Sequence, residues 1–257
     1  VDPQYGELIG LINLNNQMLY FQPNAFGVLA INDRALIQTQ SVGQLSLGTS
    51  GILERFDYKK TDTGISHRDH IVITQNGLYW LDVIRKAMYK YTSGIEEISL
   101  MKGMQSWFRT KFSSAVILSA IQLYHDPDYK EVNLVDTVQQ FNLAYNEVTE
   151  SFVSFYTYYP VYVINYKDKV LSTSDRLNFY KHNDLTASRC SFYGAAPASS
   201  SVTLIVSPLD IDKDEDKVCV FSNLNWMTEV YNLTNNLVDE TFTLVRASND
   251  YQDTGDI

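Results

Sequence analysis

Residues 118–135 read LSAIQLYHDPDYKEVNLV, residues 141–160 FNLAYNEVTESFVSFYTYYP and residues 161–183 VYVINYKDKVLSTSDRLNFYKHN, and this stretch decides the fold. Short runs rich in Val, Ile, Tyr and Phe follow one another, each ending in a turn, with no helical repeat between them. The first turn is Asp126-Pro127-Asp128, where Pro127 pre-sets the backbone angle required at the second position of a type I turn. A second hairpin is expected at Asn146-Glu147-Val148-Thr149, flanked by Phe141, Leu143 and Tyr145 and by Phe152 and Phe155. A third turn falls at Lys167-Asp168-Lys169. Runs of this length and composition predict an antiparallel β-meander.

The pattern extends in both directions. Upstream, residues 67–100 place IVIT and LYWLDV on either side of Gln75-Asn76-Gly77, and Asn-Gly is the strongest short-range hairpin signal. Residues 7–42 alternate apolar runs with turns at Asn15-Asn16, Pro23-Asn24 and Asp33, while glycines between Gly43 and Gly64 suit a backbone that bends sharply. Residues 101–113 are the one segment with helical spacing, through Met104, Trp107, Phe108 and Lys111. Ala195 to Ser201 reads as a loop or boundary. Beyond it SVTLIVSP, KVCVFSNLNWMTEVYNL and ETFTLVRAS predict three more strands, before a polar acidic tail from Asn249 to Ile257.

One internal similarity bears on architecture. Asp82, Arg85 and Met88-Tyr89-Lys90 match Asp175-Arg176 and Phe179-Tyr180-Lys181, an offset of about two blades at the 40–50 residues a β-propeller blade takes. The expected fold is therefore all-β, with antiparallel propeller-like blades over residues 1–184 and a smaller β module over residues 185–257; a β-sandwich is the alternative. Trp80, Tyr89, Phe155 and Tyr180 are expected to be buried or at contacts between blades. About four blades fit before Leu185, near the lower limit for closure, so strands from elsewhere are expected to complete the set.

Composition narrows the function classes. Eighteen Tyr and twelve Phe suit broad sheets covered by aromatic rings, and the formal charge of −10 argues against holding a phosphate backbone. Cys190 and Cys219 read as two reduced thiols rather than a disulfide framework. No apolar run approaches the roughly 20 residues that span a bilayer. Val1-Asp2-Pro3 is not a translation start, and the chain is expected to be a C-terminal piece of a longer precursor whose other fragment stays bound.

Candidate chemistry is sparse. His67-Arg68-Asp69-His70 could ligate a metal, but residues three apart on a strand point to opposite faces, so a polar turn is the favoured reading. Asp210, Asp212, Asp214, Glu215 and Asp216 resemble a calcium loop, yet Glu215 stands where glycine is required and Phe221 where a bidentate Glu should be. Glu96-Glu97, Asp126 with Asp128, and Asp239-Glu240 are sequence neighbours, not the cross-cleft carboxylate pair of a glycosidase. Asn232-Leu233-Thr234 matches a glycosylation sequon by chance. No catalytic, cofactor-binding or metal site is expected, and no cofactor.

Several phrases together carry a resemblance: GLINLNNQMLYFQPNAFGVLAIN, LGTSGIL, HIVITQNGLYWLDV, YHDPDYKEVNLV, AYNEVTESFVSFYTYYP and FTLVRASNDYQDTG. Over roughly residues 5–255 the chain resembles the tail muzzle, or stabilisation, proteins of crAss-like phages, and more distantly the nozzle proteins of short-tailed phages. The resemblance implies a virion structural protein that forms a homo-oligomeric ring at the distal tail end, beside neighbouring tail proteins. DNA would pass through the ring without being held, and no membrane would be involved. Two rivals remain from the residues alone: a glycan-binding host-recognition domain, since aromatic β surfaces stack on sugars, and a carbohydrate-active enzyme.

Overall fold

The computed structural model describes residues 1–14, 17–31, 35–39, 43–47, 53–113, 116–166, 168–188, 190–204, 227–232, 234, 236–239, 241–248 and 253–256. The chain divides into two compact units: residues 1–184 with 191–198, and residues 185–190 with 199–257.

Four antiparallel sheets follow one another along the first unit. The first joins β1 (Gly10–Leu14), β2 (Gln17–Phe21), β3 (Phe26–Ile31) and β6 (Leu53–Lys60), with the hairpin β4 (Ala35–Thr39) and β5 (Gly43–Leu47) inserted between β3 and β6. The second is a plain meander of β7 (Ile71–Thr74), β8 (Gly77–Asp82), β9 (Ala87–Tyr91) and β10 (Ile95–Glu97). The third repeats it with β11 (Ile121–Asp126), β12 (Glu131–Asp136), β13 (Phe141–Asn146) and β14 (Ser151–Tyr156). The fourth has three strands, β15 (Tyr162–Tyr166), β16 (Lys169–Thr173) and β17 (Tyr180–Lys181). The fold is all-β, and none of these sheets closes on itself.

One turn design is used four times. Asp82, Asp126, Asp136 and Asn146 each end a strand, and each is paired across a four-residue loop to Ala87, Glu131, Phe141 and Ser151 respectively. The side-chain oxygen then accepts backbone N–H bonds from within its own loop, as when Asp136 Oδ1 takes Val138 at 2.8 Å and Gln139 at 2.9 Å. The last loop residue is left-handed every time: Lys86 at φ 57°, Lys130 at 54°, Gln140 at 52° and Glu150 at 49°. A side chain there costs roughly 1–2 kcal/mol, which the acceptor at the loop's start offsets. The anticipated turns at Asp126 and Asn146 are therefore two members of a decade-spaced series, 126, 136 and 146.

The sheets stack in chain order. Alternate residues of a strand face opposite sides, so on β8 Leu78 and Trp80 pack with Leu19, Phe21 and Phe26 of the first sheet. Tyr79 and Leu81 turn the other way, toward Leu123, Leu134, Leu143 and Tyr145 of the third. On the far side of the third sheet, Tyr124 and Val135 meet Val170 of the fourth. Trp80 is the centre of the first interface, with ring centroids 5.4 Å from Phe21, Phe26 and Tyr89. Each such ring removes roughly 150–250 Å² from water.

The segment expected to be helical forms two short helices, α1 (Ile98–Met101) and α2 (Gln105–Lys111), broken at Gly103, whose φ of 76° a helix cannot hold. Phe108 and Phe112 enter the core between the second and third sheets. Phe155 departs from expectation: it is exposed, although its ring lies 5.4 Å from Trp107. Tyr180 is half-buried, 5.3 Å from Tyr193.

The second unit has little ladder among its described residues. Only β18 (Val230–Tyr231) and β19 (Leu237–Val238) pair, with a single bridge between Ser248 and Asp253. The strand anticipated over ETFTLVRAS does not form across its described residues 241–247, where Phe242 and Leu244 stay exposed. Without an apolar face to cover, alternation alone does not hold a strand. Much of the other two anticipated strands, residues 205–226, lies outside the described residues.

Candidate assembly surface

His67 caps and His70 ends a 3-10 turn (Arg68–His70) that precedes β7. Residues three apart nearly eclipse in that geometry, so the rings approach to 5.6 Å instead of pointing apart as they would on a strand. Both are occupied: His67 Nδ1 accepts the Asp69 N–H at 3.3 Å, and His70 Nε2 donates to Leu118 O at 2.9 Å. Burial holds the His70 pKa down to about 4. No group of three metal-ligating side chains occurs among the described residues.

The carboxylates serve structure. Asp126 caps its turn and, with Asp128, accepts from Asn183 Nδ2 at 3.1–3.2 Å. Glu96 and Glu97 are successive residues of β10, opposite Lys90 and Tyr89, and so point to different sides. Asn232 Oδ1 accepts from Thr234 N at 3.0 Å and closes a local turn. Cys190 is exposed and free. The acidic loop Asp210 to Asp216 with Phe221, together with Cys219, Leu233 and Glu240, lies outside the described residues.

What sequence reading missed is a set of polar links between sheets. Glu147, whose side chain is almost wholly buried, takes the Thr74 hydroxyl of the second sheet at 2.6 Å and His125 Nε2 of the third at 3.0 Å. Burial pushes the Glu147 carboxyl up, but the bonds from His125 and Thr74 outweigh it and leave it below its ordinary value. Nearby, Lys90 and Lys102 both reach Glu150, at 3.3 and 3.7 Å. The connection from the first sheet to the second is tied to β8, where Trp80 Nε1 donates to Thr63 Oγ1 at 3.1 Å and Gly64 N to Asp82 Oδ2 at 3.1 Å. Gly64 must be glycine, since a Cβ there would stand 1.9 Å from the Gln22 carbonyl oxygen. Between the third and fourth, Asn142 Nδ2 donates to Tyr158 O at 3.2 Å, and Tyr124 and Tyr158 join hydroxyls at 3.0 Å. These pairs are tens of residues apart, so no local motif could reveal them.

The opening strands of successive sheets converge. A shallow cleft of about 190 Å³ is lined by Ile71 and Val72 of β7, Leu123 and Tyr124 of β11, and Val163 and Asn165 of β15. Arg68 and Asp69 at its rim pair with each other at 3.5 Å. Nothing there aligns a nucleophile with a base. Apolar side chains are exposed on all four sheets: Leu11 and Phe56 on the first, Ile73 on the second, Val153 and Phe155 on the third, and Tyr162 and Ile164 on the fourth.

These features define a class: an all-β protein of serially stacked sheets with a few buried polar links between them. Residues 1–176 match the model of the crassvirus muzzle protein family, and the chain belongs to that family. It is also 20% identical over 256 residues to the muzzle protein of Bacteroides phage crAss001. That alignment takes in 98% of this chain and 18% of that protein, so the chain spans under a fifth of the length of the curated relative it matches.

Proposed function

We propose that this chain is a non-enzymatic structural part of a phage tail muzzle, located in the virion at the distal tail end around the path of DNA exit. The observation that carries the reading is the serial stack of sheets whose opening strands converge, β7 beside β11 and β11 beside β15. In that reading the sheets are propeller-like blades, and copies of the chain join in a ring with neighbouring tail proteins. Other fragments of the same precursor supply the remaining strands. DNA passes without being held: residues 205–257 carry eleven Asp and Glu against three Lys and Arg, and such a balance repels a phosphate backbone.

The test is cryo-electron microscopy of purified particles, with mass spectrometry of their proteins. The reading requires peptides from residues 1–257 in the particle and density for stacked four-stranded sheets at the tail tip. Absence of these peptides from intact particles overturns it. Tight, salt-dependent DNA binding by the isolated chain would contradict the passive path.

A further inference from the structure

After the fourth sheet, residues 191–198 return to the first unit as a strap. A turn at its head, where Ala195 N donates to Phe192 O at 3.0 Å, presents two adjacent rings. Phe192 stacks on Tyr158 with centroids 3.8 Å apart, and Tyr193 meets Tyr180 edge-on at 5.3 Å. Tyr193 and Gly194 are both left-handed, at φ 56° and 72°. A side chain disfavours that backbone at Tyr193. The strap is thus held down against its local preference by what its two rings touch.

Beneath it lie Ser172 of β16, fully buried, and His182, 7% exposed. Ser172 Oγ is 2.5 Å from His182 Nε2 and 2.7 Å from the Tyr193 hydroxyl. The imidazole is packed by the rings of Tyr158 at 5.5 Å, Tyr124 at 6.2 Å and Phe192 at 6.5 Å. Phe192 belongs to the strap, so lifting the strap opens the imidazole to water. Burial lowers the His182 pKa, although Asp126 of β11 pulls it the other way. The phenols around it, Tyr124, Tyr158 and Tyr193, are held neutral by burial. The charged groups nearby are already engaged: Asp126 and Asp128 share Asn183 Nδ2, Lys181 pairs with Asp184, and Lys169 of β16 lies beside Asp168.

We propose that Tyr193, Ser172 and His182 form an acid-released clasp on this strap. At neutral pH Tyr193 donates to Ser172 and Ser172 donates to the bare Nε2 of His182. A proton on that nitrogen reverses the relay: Nε2–H can only donate, Ser172 turns its hydrogen toward Tyr193, and the Tyr193 proton is driven outward. The charged ring also gains from water, which it reaches when Phe192 lifts. Opening restores the ordinary pKa of 6.5, above the closed value, so the open strap takes the proton first. Closure is therefore favoured fully above pH 6.5 and loses ground as pH falls below it, by up to about tenfold in the closed-to-open ratio per pH unit.

The experiment is limited proteolysis of the 257-residue chain by papain, read by mass spectrometry as cleavage after Tyr193. Rates at pH 7.5 and 5.5 are each divided by the rate for the free peptide of residues 186–200 carrying the same sequence. When reclosing outpaces cutting, that ratio reports the open population. In the wild type it is expected to rise at least about fivefold from pH 7.5 to 5.5. His182→Gln stays neutral and keeps an acceptor for Ser172, so its ratio should change by less than about twofold. Tyr193→Phe keeps the ring but not the hydroxyl, and should be cut at least about threefold faster than wild type already at pH 7.5. A flat wild-type ratio, a His182→Gln chain that rises as steeply as wild type, or a Tyr193→Phe chain cut at the wild-type rate overturns the proposal. So does cutting within β12 or β13 that rises in step with the strap, since the whole stack is then unfolding. Should His182→Gln fail to melt cooperatively, Tyr193→Phe, on the half-buried strap, decides alone.

Discussion

The second and fourth sheets are built from the same kinds of residue and differ in how many neighbours they have. In the second, β8 is buried along nearly its whole length because sheets cover it on both sides. In the fourth, β15 is exposed at four of its five residues, and only Val163 turns inward against the third sheet. Apolar content therefore does not distinguish a central sheet from a terminal one. Stacking does, and the fourth sheet keeps one face open.

The largest expected contrast lies between Trp80 and Ile164. Trp80→Ala empties the centre of the first interface and should cost about 3–5 kcal/mol in chemical unfolding. Ile164→Ala, on the open face, should cost under about 1 kcal/mol in the chain alone. Equal losses would mean that the fourth sheet is as enclosed as the second.

Acid should weaken the stack. The folded pKa of His70 is about 4 against an ordinary 6.5, so the unfolded chain takes the proton first. The stabilisation present above pH 6.5 is lost as pH falls toward 4, by about 3 kcal/mol. Burial lowers His182 in the same sense, and the depressed Glu147 loses its contribution as pH falls further. Asp82 and Glu131, raised by burial, act in the opposite sense. His70→Gln keeps a donor for Leu118 O and should flatten the stability profile between pH 6.5 and 4; an unchanged profile would show that His70 does not carry the effect.

Turn chemistry gives the smaller effects. Asp136→Ala removes the acceptor for two loop N–H groups and should cost about 1–2 kcal/mol by thermal melting. Gln140→Gly, at φ 52°, should add about 0.5–1 kcal/mol by relieving the left-handed backbone. If Gln140→Gly destabilises the chain, this loop geometry is wrong.

The parts legible in the sequence were local. Asn76-Gly77, Asp126-Pro127 and Asn146 mark hairpins because a turn is specified by the few residues that form it. The ten-residue spacing of Asp126, Asp136 and Asn146 was also readable and is a closer repeat than the one between Tyr89 and Tyr180. Phe155 was misjudged because an aromatic on a terminal strand looks the same in sequence whether or not another element covers it. The links through Glu147, Asn142 and Asn183 were invisible, since each partner is set by which sheet stacks on which. The C-terminal ETFTLVRAS shows the converse: it alternates like a strand but finds no ladder.

Hydrogen exchange on the chain, read peptide by peptide, tests the stacked-sheet account most directly. The account predicts that β8, β9, β12 and β13, covered on both faces or by neighbouring strands, exchange slowest and that β15, open on one face, exchanges faster. Strands of the second and third sheets exchanging as fast as residues 190–204, or β15 as protected as β8, would contradict it.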